Sequence, residues 1–263
     1  MRDGLTALTL MSRILDFPVF VLLLSFVVLW FSSLLGSIAR RHLAPLTEEV
    51  REDFGVVQAA ILTLLGLLIG FTFSMALNRY DQRKNYEEAE ANAIGTEYVR
   101  VELLPPSDAA RAQELLKRYL DQRVLFYTSR DAQQRRQIDS ETAALQNDLW
   151  SVVRAAATAQ PTPPVTLVVM GMNDVLNSQG YTQAAWLYRI PVEAWNLMAF
   201  IAIGCNLLIG FGARQTYKLL LLVVPLAVSV SFFLIADIDS PNAGLIHVQP
   251  QNLVSLAHSL ALQ

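Results

Sequence analysis

Four long apolar runs constrain this chain more than any other feature. They are Phe17–Gly36, Val56–Leu77, Ala194–Gly212 and Tyr217–Ala236. Crossing a bilayer takes roughly 20 residues of helix, and each run is about that long. The first three carry no ion and the fourth only Lys218, one residue in from its start, so each can close its backbone hydrogen bonds as a helix in lipid without burying a charge at its middle. The chain reads as integral to a membrane. Composition agrees: 53% of the 263 residues are hydrophobic and only 16% are charged. The first run continues through Leu34-Leu35-Gly36 and shows no small-residue cleavage site before Arg40-Arg41, so a retained helix is expected rather than a cleaved signal peptide.

Four spans place the N-terminus, the long segment after Asn78 and the C-terminus on one side. The loops Ser37–Gly55 and Ala213–Thr216 fall on the other. Near the membrane the first side carries Arg2, Arg13, Arg79, Arg83, Lys84 and Arg189, and the second Arg40, Arg41, Arg51, Arg214 and Lys218. That balance is nearly even; the orientation adopted is the one with both termini in the cytoplasm, in a multi-pass protein of the cell (inner) membrane. Tyr80, Trp186, Tyr188 and Trp195 are expected to mark one membrane boundary, Trp30 and Tyr217 the other. The linear segmentation is therefore a helix pair at 1–78, an extramembrane segment at 79–192, and a second helix pair with a short tail at 193–263.

The extramembrane segment reads as helical, which makes the fold class all-α. The second span continues past Arg79 to about Leu104, where Pro105-Pro106 stops it. Ser107 or Asp108 is placed to cap the next helix, with Leu115, Leu116, Tyr119, Leu120, Val124 and Tyr127 on one face. A further helix runs from Ala132 to Ala159 with Ile138, Leu145, Leu149, Val152 and Val153 inward. Another starts near Pro164 with Val165, Val168, Val169, Met172, Val175 and Leu176, and Gln179-Gly180 is expected to break it.

Signs of catalysis are sparse, and no enzyme is expected. His42, His247 and His258 are scattered without partners at metal-ligand spacing, and neither a nucleophile elbow nor a phosphate-cradling glycine loop occurs. No catalytic residue, metal site or cofactor is assigned. The net charge of −3 argues against nucleic acid as a partner. Cys205 is the lone cysteine and lies within the third span, so it forms no intrachain disulfide. The acidic run Glu87-Glu88-Ala89-Glu90 is expected to be a solvated helix face. Asp237-Ile-Asp239, at the end of the fourth span, fits either an ion-attracting pair or a helix terminus before Ser240-Pro241.

The second span carries a stripe: Gly66, Gly70, Ser74 and Asn78 recur every fourth residue along one side. Gly66 and Gly70 form a GxxxG pair, which lets another backbone approach closely. Small and hydroxyl side chains also leave room for water or ions, with Phe71 and Phe73 as a candidate hydrophobic constriction that gates by dewetting. Packing seam and pore wall both remain open on the sequence. The third span repeats the spacing with Ala202, Asn206 and Gly210, and its amide requires an interhelical or aqueous partner. In the fourth, Pro225 frees a backbone carbonyl that Ser229 is placed to satisfy.

Leu65-Gly66-Leu67-Leu68-Ile69-Gly70-Phe71, then Glu90-Ala91-Asn92-Ala93-Ile94, and the tail Asp237-Ile238-Asp239-Ser240-Pro241 resemble the bacterial bestrophin-like domain family over nearly the whole chain. Glu90, Asn92, Asp239 and Pro241 are the motif residues; members commonly carry an arginine where Ser240 stands here. The resemblance implies distant kinship with bestrophins, pentameric anion channels whose second membrane helix lines the pore. It implies a homo-oligomeric ion channel in the lipid bilayer, five subunits and anions following from the kinship alone. The other reading is a non-conducting membrane scaffold or sensor whose helical segment docks a partner. A small-solute transporter fits less well, because no inverted repeat or interrupted span pair is visible.

Overall fold

The computed structural model describes residues 17–42, 48–213, 220–241 and 244–262. They are helical, with no strand among them. The helices are α1 (Pro18–His42), α2 (Glu48–Arg100), α3 (Pro106–Thr128), α4 (Ala132–Ala159), α5 (Pro163–Leu187), α6 (Val192–Gly212), α7 (Leu220–Asp239) and α8 (Gln251–Ala261), with a 3₁₀ turn at Val101–Leu103. Four helical stretches are long and apolar enough to span a membrane. Arg2, Arg13, Arg214, Lys218, Tyr217 and the loop expected at 213–216 lie at or beyond the edges of the described residues.

The helices extend past the apolar runs. α1 continues to His42 and α2 starts at Glu48, so the first loop is much shorter than the charge pattern suggests. α2 is 53 residues long, about 80 Å, against a hydrocarbon core of about 30 Å. Its apolar part, Val56–Leu77, is long enough to cross that core, and the remainder carries charge along its length.

The chain divides into two compact units. The first holds α1, α2 as far as Arg79, α6, α7 and the chain to His247; the second holds Tyr80–Tyr188 and Val248–Gln263. The linear segmentation put the tail with the second membrane pair, whereas residues from Val248 pack in the helical unit.

In the first unit α1 packs against both α6 and α7. The α1–α6 contact is a close approach of backbones. A methyl at Gly210 would lie 1.9 Å from the Ser33 carbonyl oxygen, and one at Gly36 2.0 Å from that of Leu207. Asn206 sits in this seam, fully buried: Ser33 Oγ donates to its Oδ1 at 3.3 Å, and its Nδ2 donates to the Ala202 carbonyl at 2.8 Å. The third-span amide thus finds an interhelical partner. Arg40 donates to the carbonyls of Gly212 and Ala213, where α6 leaves its last acceptors unpaired. The Ser229 hydroxyl does not take the role read for it; it is buried without a hydrogen bond.

The second unit has one apolar core, in which Ile94, Leu116, Tyr119, Leu149, Val153, Val168, Met172 and Leu253 are almost wholly enclosed. Helix starts follow local chemistry. Asp131 caps α4 by accepting from Gln134 N at 3.0 Å, while α3 and α5 begin on prolines, whose missing N–H costs nothing in a first turn. Pro105-Pro106 therefore replaces Ser107 or Asp108 as the start of α3. Gln179-Gly180 does not end α5, which runs on to Leu187. One exposed glycine costs a helix only about 1 kcal/mol, and apolar residues on either side of it, Val175 and Ala185, are buried. Trp186, read as an interfacial anchor, is half-buried against this core, its ring tilted on Phe126 with centroids 4.8 Å apart and edge-on to Tyr127 at 5.6 Å. α8 was not foreseen at all.

Candidate functional site

The apolar part of α2 differs from the other spans in how little of it the chain covers. Its most apolar stretch is 6% buried, against 28% for α1 and 50% for α7. What is covered lies on one side: Leu65, Thr72 and Ala76 are buried. At about 100° per residue these positions fall roughly opposite Gly70. The stripe Gly66, Gly70, Ser74 and Asn78 faces away from its own chain, and every member is exposed. A methyl at Gly66 or Gly70 would meet nothing within 4 Å.

The two small-residue stripes are therefore unlike. That of α6 is an intrachain seam, and that of α2 packs against no helix of the same chain. Phe71 stands 65% exposed beside the open stripe, while Phe73 is half-buried, about 200° further round. The two rings do not share a face. Thr63 and Thr72 bond back to the Ala59 and Leu68 carbonyls of their own helix.

The acids at the end of α7 hold the chain that follows. Asp237 accepts from the backbone N–H of Leu245 at 2.6 Å and of Ile246 at 2.9 Å. Asp239 accepts from Ile190 N at 3.2 Å and from Arg189 Nε at 2.9 Å. Both are buried, as are Ser240 and Pro241. Of the two sequence readings, this geometry supports the helix terminus: the carboxylates are committed to protein donors. The cation beside Asp239 is Arg189, from a distant part of the chain. Gly244 is required, since a methyl there would sit 2.3 Å from the Asp237 carbonyl oxygen.

The acidic run on α2 is not a solvated face. Glu88 is exposed, but Glu87 and Glu90, three residues apart on one side, are fully buried. Glu87 accepts from Asn252 N and Leu253 N at 2.9 Å each and from Asn252 Nδ2 at 2.6 Å. It supplies from another helix what an N-cap side chain supplies locally, and it matches the positive end of the α8 dipole. Glu87→Ala leaves those donors unpaired, and a loss of about 1–3 kcal/mol in the docking of α8 is expected. Hydrogen exchange across Gln251–Ala261 checks it; unchanged protection refutes the role.

Glu90 is paired with Arg123 through Nε and Nη2, and it also accepts from Tyr127 Oη at 3.3 Å and Thr182 Oγ1 at 3.1 Å. Burial alone would lower the Arg123 pKa, but Glu90 beside it raises it, which keeps the guanidinium charged. Burial, then the Glu90 charge, pushes the Tyr127 phenol well up, keeping it a neutral donor. The guanidinium also lies 4.4 Å over the Phe126 ring. Asn92, the other motif residue of this stretch, is exposed and lines an open groove with Asn252 and Ser255. Arg123 escaped the sequence reading although a signal exists. It is four residues from both Tyr119 and Tyr127, hence on the buried face of α3. Among the described residues no group of three or more His, Cys, Asp or Glu could hold a metal ion.

Comparison with known proteins agrees with this architecture. The family model of the bestrophin-like domain matches residues 19–253. Two crystal structures of a bacterial bestrophin homologue from Klebsiella pneumoniae, each with a single mutation, share the fold. They superpose with TM-scores of 0.60 and 0.62 at 13% identity, covering 92% of this chain and 97% of theirs. No curated protein matches the sequence significantly. A match over residues 19–253, with the fold of a bacterial bestrophin homologue, identifies this chain as a member of the bestrophin-like domain family.

Proposed function

We propose that this chain is one subunit of a homo-oligomeric ion channel in which the open face of α2 lines the pore. The observation that carries this reading is that Gly66, Gly70, Ser74 and Asn78 face away from their own chain. A hydroxyl and an amide facing lipid are unfavourable, because hydrocarbon offers them no partner. Copies of α2 arranged around an axis would turn the same groups toward water and cover the flanking apolar surface. A closed ring of identical contacts does this for every subunit. Phe71, exposed next to the stripe, becomes the candidate constriction. Kinship with bestrophins adds five subunits and anions as the favoured state and cargo. In this reading the four spans leave both termini on one side of the cell membrane, the cytoplasmic one.

Reconstitution in liposomes with separate anion and cation flux assays tests the proposal. In a Cys205→Ser background, Gly70→Cys and Ser74→Cys are expected to react with small water-soluble thiol reagents and to lose flux on modification. Phe71→Ala is expected to raise flux severalfold, as removal of an apolar constriction eases wetting. Absence of any flux, with unreactive cysteines in an intact oligomer, refutes the channel and leaves the non-conducting scaffold.

A further inference from the structure

Three carboxyls of α2, Glu87, Glu90 and Glu97, are fully enclosed in the second unit. Glu87 and Glu90 are held by donors, as described above. Glu97 is not: neither of its oxygens has a hydrogen-bond partner. A carboxylate enclosed without donors loses its hydration and has only the unbonded charge of Arg100 to offset the loss, so the neutral acid is the form that fits. The space it occupies is made by Gly171 of α5, where a methyl would lie 1.9 Å from Glu97 Oε2 and 2.7 Å from Arg100 Nη1. The charged groups facing it are Arg100 on its own helix and Asp174 on α5. Glu102, in the turn that follows, is engaged by Gln113 Nε2 at 3.4 Å.

We propose that Glu97 is a proton-binding site that latches α2 to α5: the second unit is closed while the carboxyl is protonated, and the α2–α5 contact opens when the proton is lost. Ionisation leaves two ways to satisfy the charge, entry of water or a swing of the carboxylate onto Arg100. Both require movement where Glu97 abuts the bare backbone of Gly171, because the site has no spare volume there. Burial, chiefly, pushes the Glu97 carboxyl from 4.5 up to about 8; Arg100 opposes the rise and Asp174 adds to it. The closed form therefore binds more protons than the open one. Its protection is greatest below the ordinary carboxyl range, falls as pH rises toward about 8, and levels off above.

Hydrogen exchange on the full-length protein in detergent, read for Val165–Leu176 of α5 and corrected for intrinsic rates, measures the opening. Between about pH 6 and about pH 8 the wild-type opening constant is expected to rise at least about tenfold. In Glu97→Gln, which keeps the shape and cannot ionise, the rise is expected to stay below about twofold. No rise in the wild type, or an equal rise in the variant, overturns the proposal. Should Glu97→Gln not fold, infrared spectroscopy gives an independent reading. The wild type is expected to show the C=O stretch of a protonated carboxyl near neutral pH, and Gly171→Ala, which displaces the group, is expected to lose it. A wild type without that band, or a band unchanged by Gly171→Ala, overturns the latch.

Discussion

Gly210→Ala is expected to cost the first unit more than about 3 kcal/mol and to abolish a well-folded subunit, whereas Gly70→Ala is expected to change subunit stability by less than about 1 kcal/mol. The two substitutions add the same methyl to glycines in membrane helices. At Gly210 it would sit 1.9 Å from the Ser33 carbonyl oxygen and 2.7 Å from its carbon. Both atoms are backbone, so no rotamer relieves the overlap; α1 and α6 have to separate. Separation also breaks the Ser33–Asn206 hydrogen bond and leaves the amide oxygen of Asn206 without its donor. Gly36→Ala should behave the same way, facing the Leu207 carbonyl at 2.0 Å. At Gly70 the methyl meets nothing in its own chain. Thermal unfolding and the yield of folded protein in mild detergent measure the contrast. Equal tolerance at Gly210 and Gly70 would refute the seam; a folded Gly70→Leu subunit that no longer assembles would place copies against the α2 stripe.

Arg123→Met is expected to destabilise the second unit by about 3–5 kcal/mol, because it leaves Glu90 buried and charged with only Tyr127 and Thr182 as donors. The cost is that of an uncompensated ion and not the net worth of the pair. Glu90→Leu combined with Arg123→Met should therefore recover most of the loss, since neither charge remains to be desolvated. Trp186, packed on Phe126 and Tyr127 beside the pair, gives a fluorescence signal for denaturant unfolding. A double variant as unstable as Arg123→Met would show that the pair itself carries stability.

Much of the architecture is legible in the residues. Apolar spans leave helices as the only economical structure, and Pro105-Pro106 and the prolines near Pro164 punctuate the helical segment where their backbone chemistry requires. Most of the large apolar residues on the buried faces of α3, α4 and α5 follow from apolar spacing, although Val124, Val169 and Leu176 are only half-buried and Arg123, Phe126 and Thr182 join them. α8 was missed because its apolar face is only three turns long and gains its place from Glu87, which lies 165 residues away from Asn252. The acidic run was misread for the same reason. A glutamate that faces water and one that faces an arginine on another helix look identical in a linear pattern.

What the sequence by itself determined is one-dimensional: which segments are helices, which of them belong in lipid, and which face of each extramembrane helix is apolar. Those follow from backbone hydrogen bonding and the cost of exposing apolar surface, which act along the chain. Only the tertiary structure decided what each face meets. Two stripes of small residues at the same spacing became a seam in α6 and an open face in α2 because α1 lies against one and no helix of the chain lies against the other. Three glutamates on one ridge of α2 became a helix cap, an ion pair and an enclosed neutral acid. Donors from α8 reach Glu87 and donors from α3 and α5 reach Glu90, while neither oxygen of Glu97, set against the bare backbone of Gly171, receives a hydrogen bond. The free energy of a polar group is set by its partners, and partners are a property of the fold.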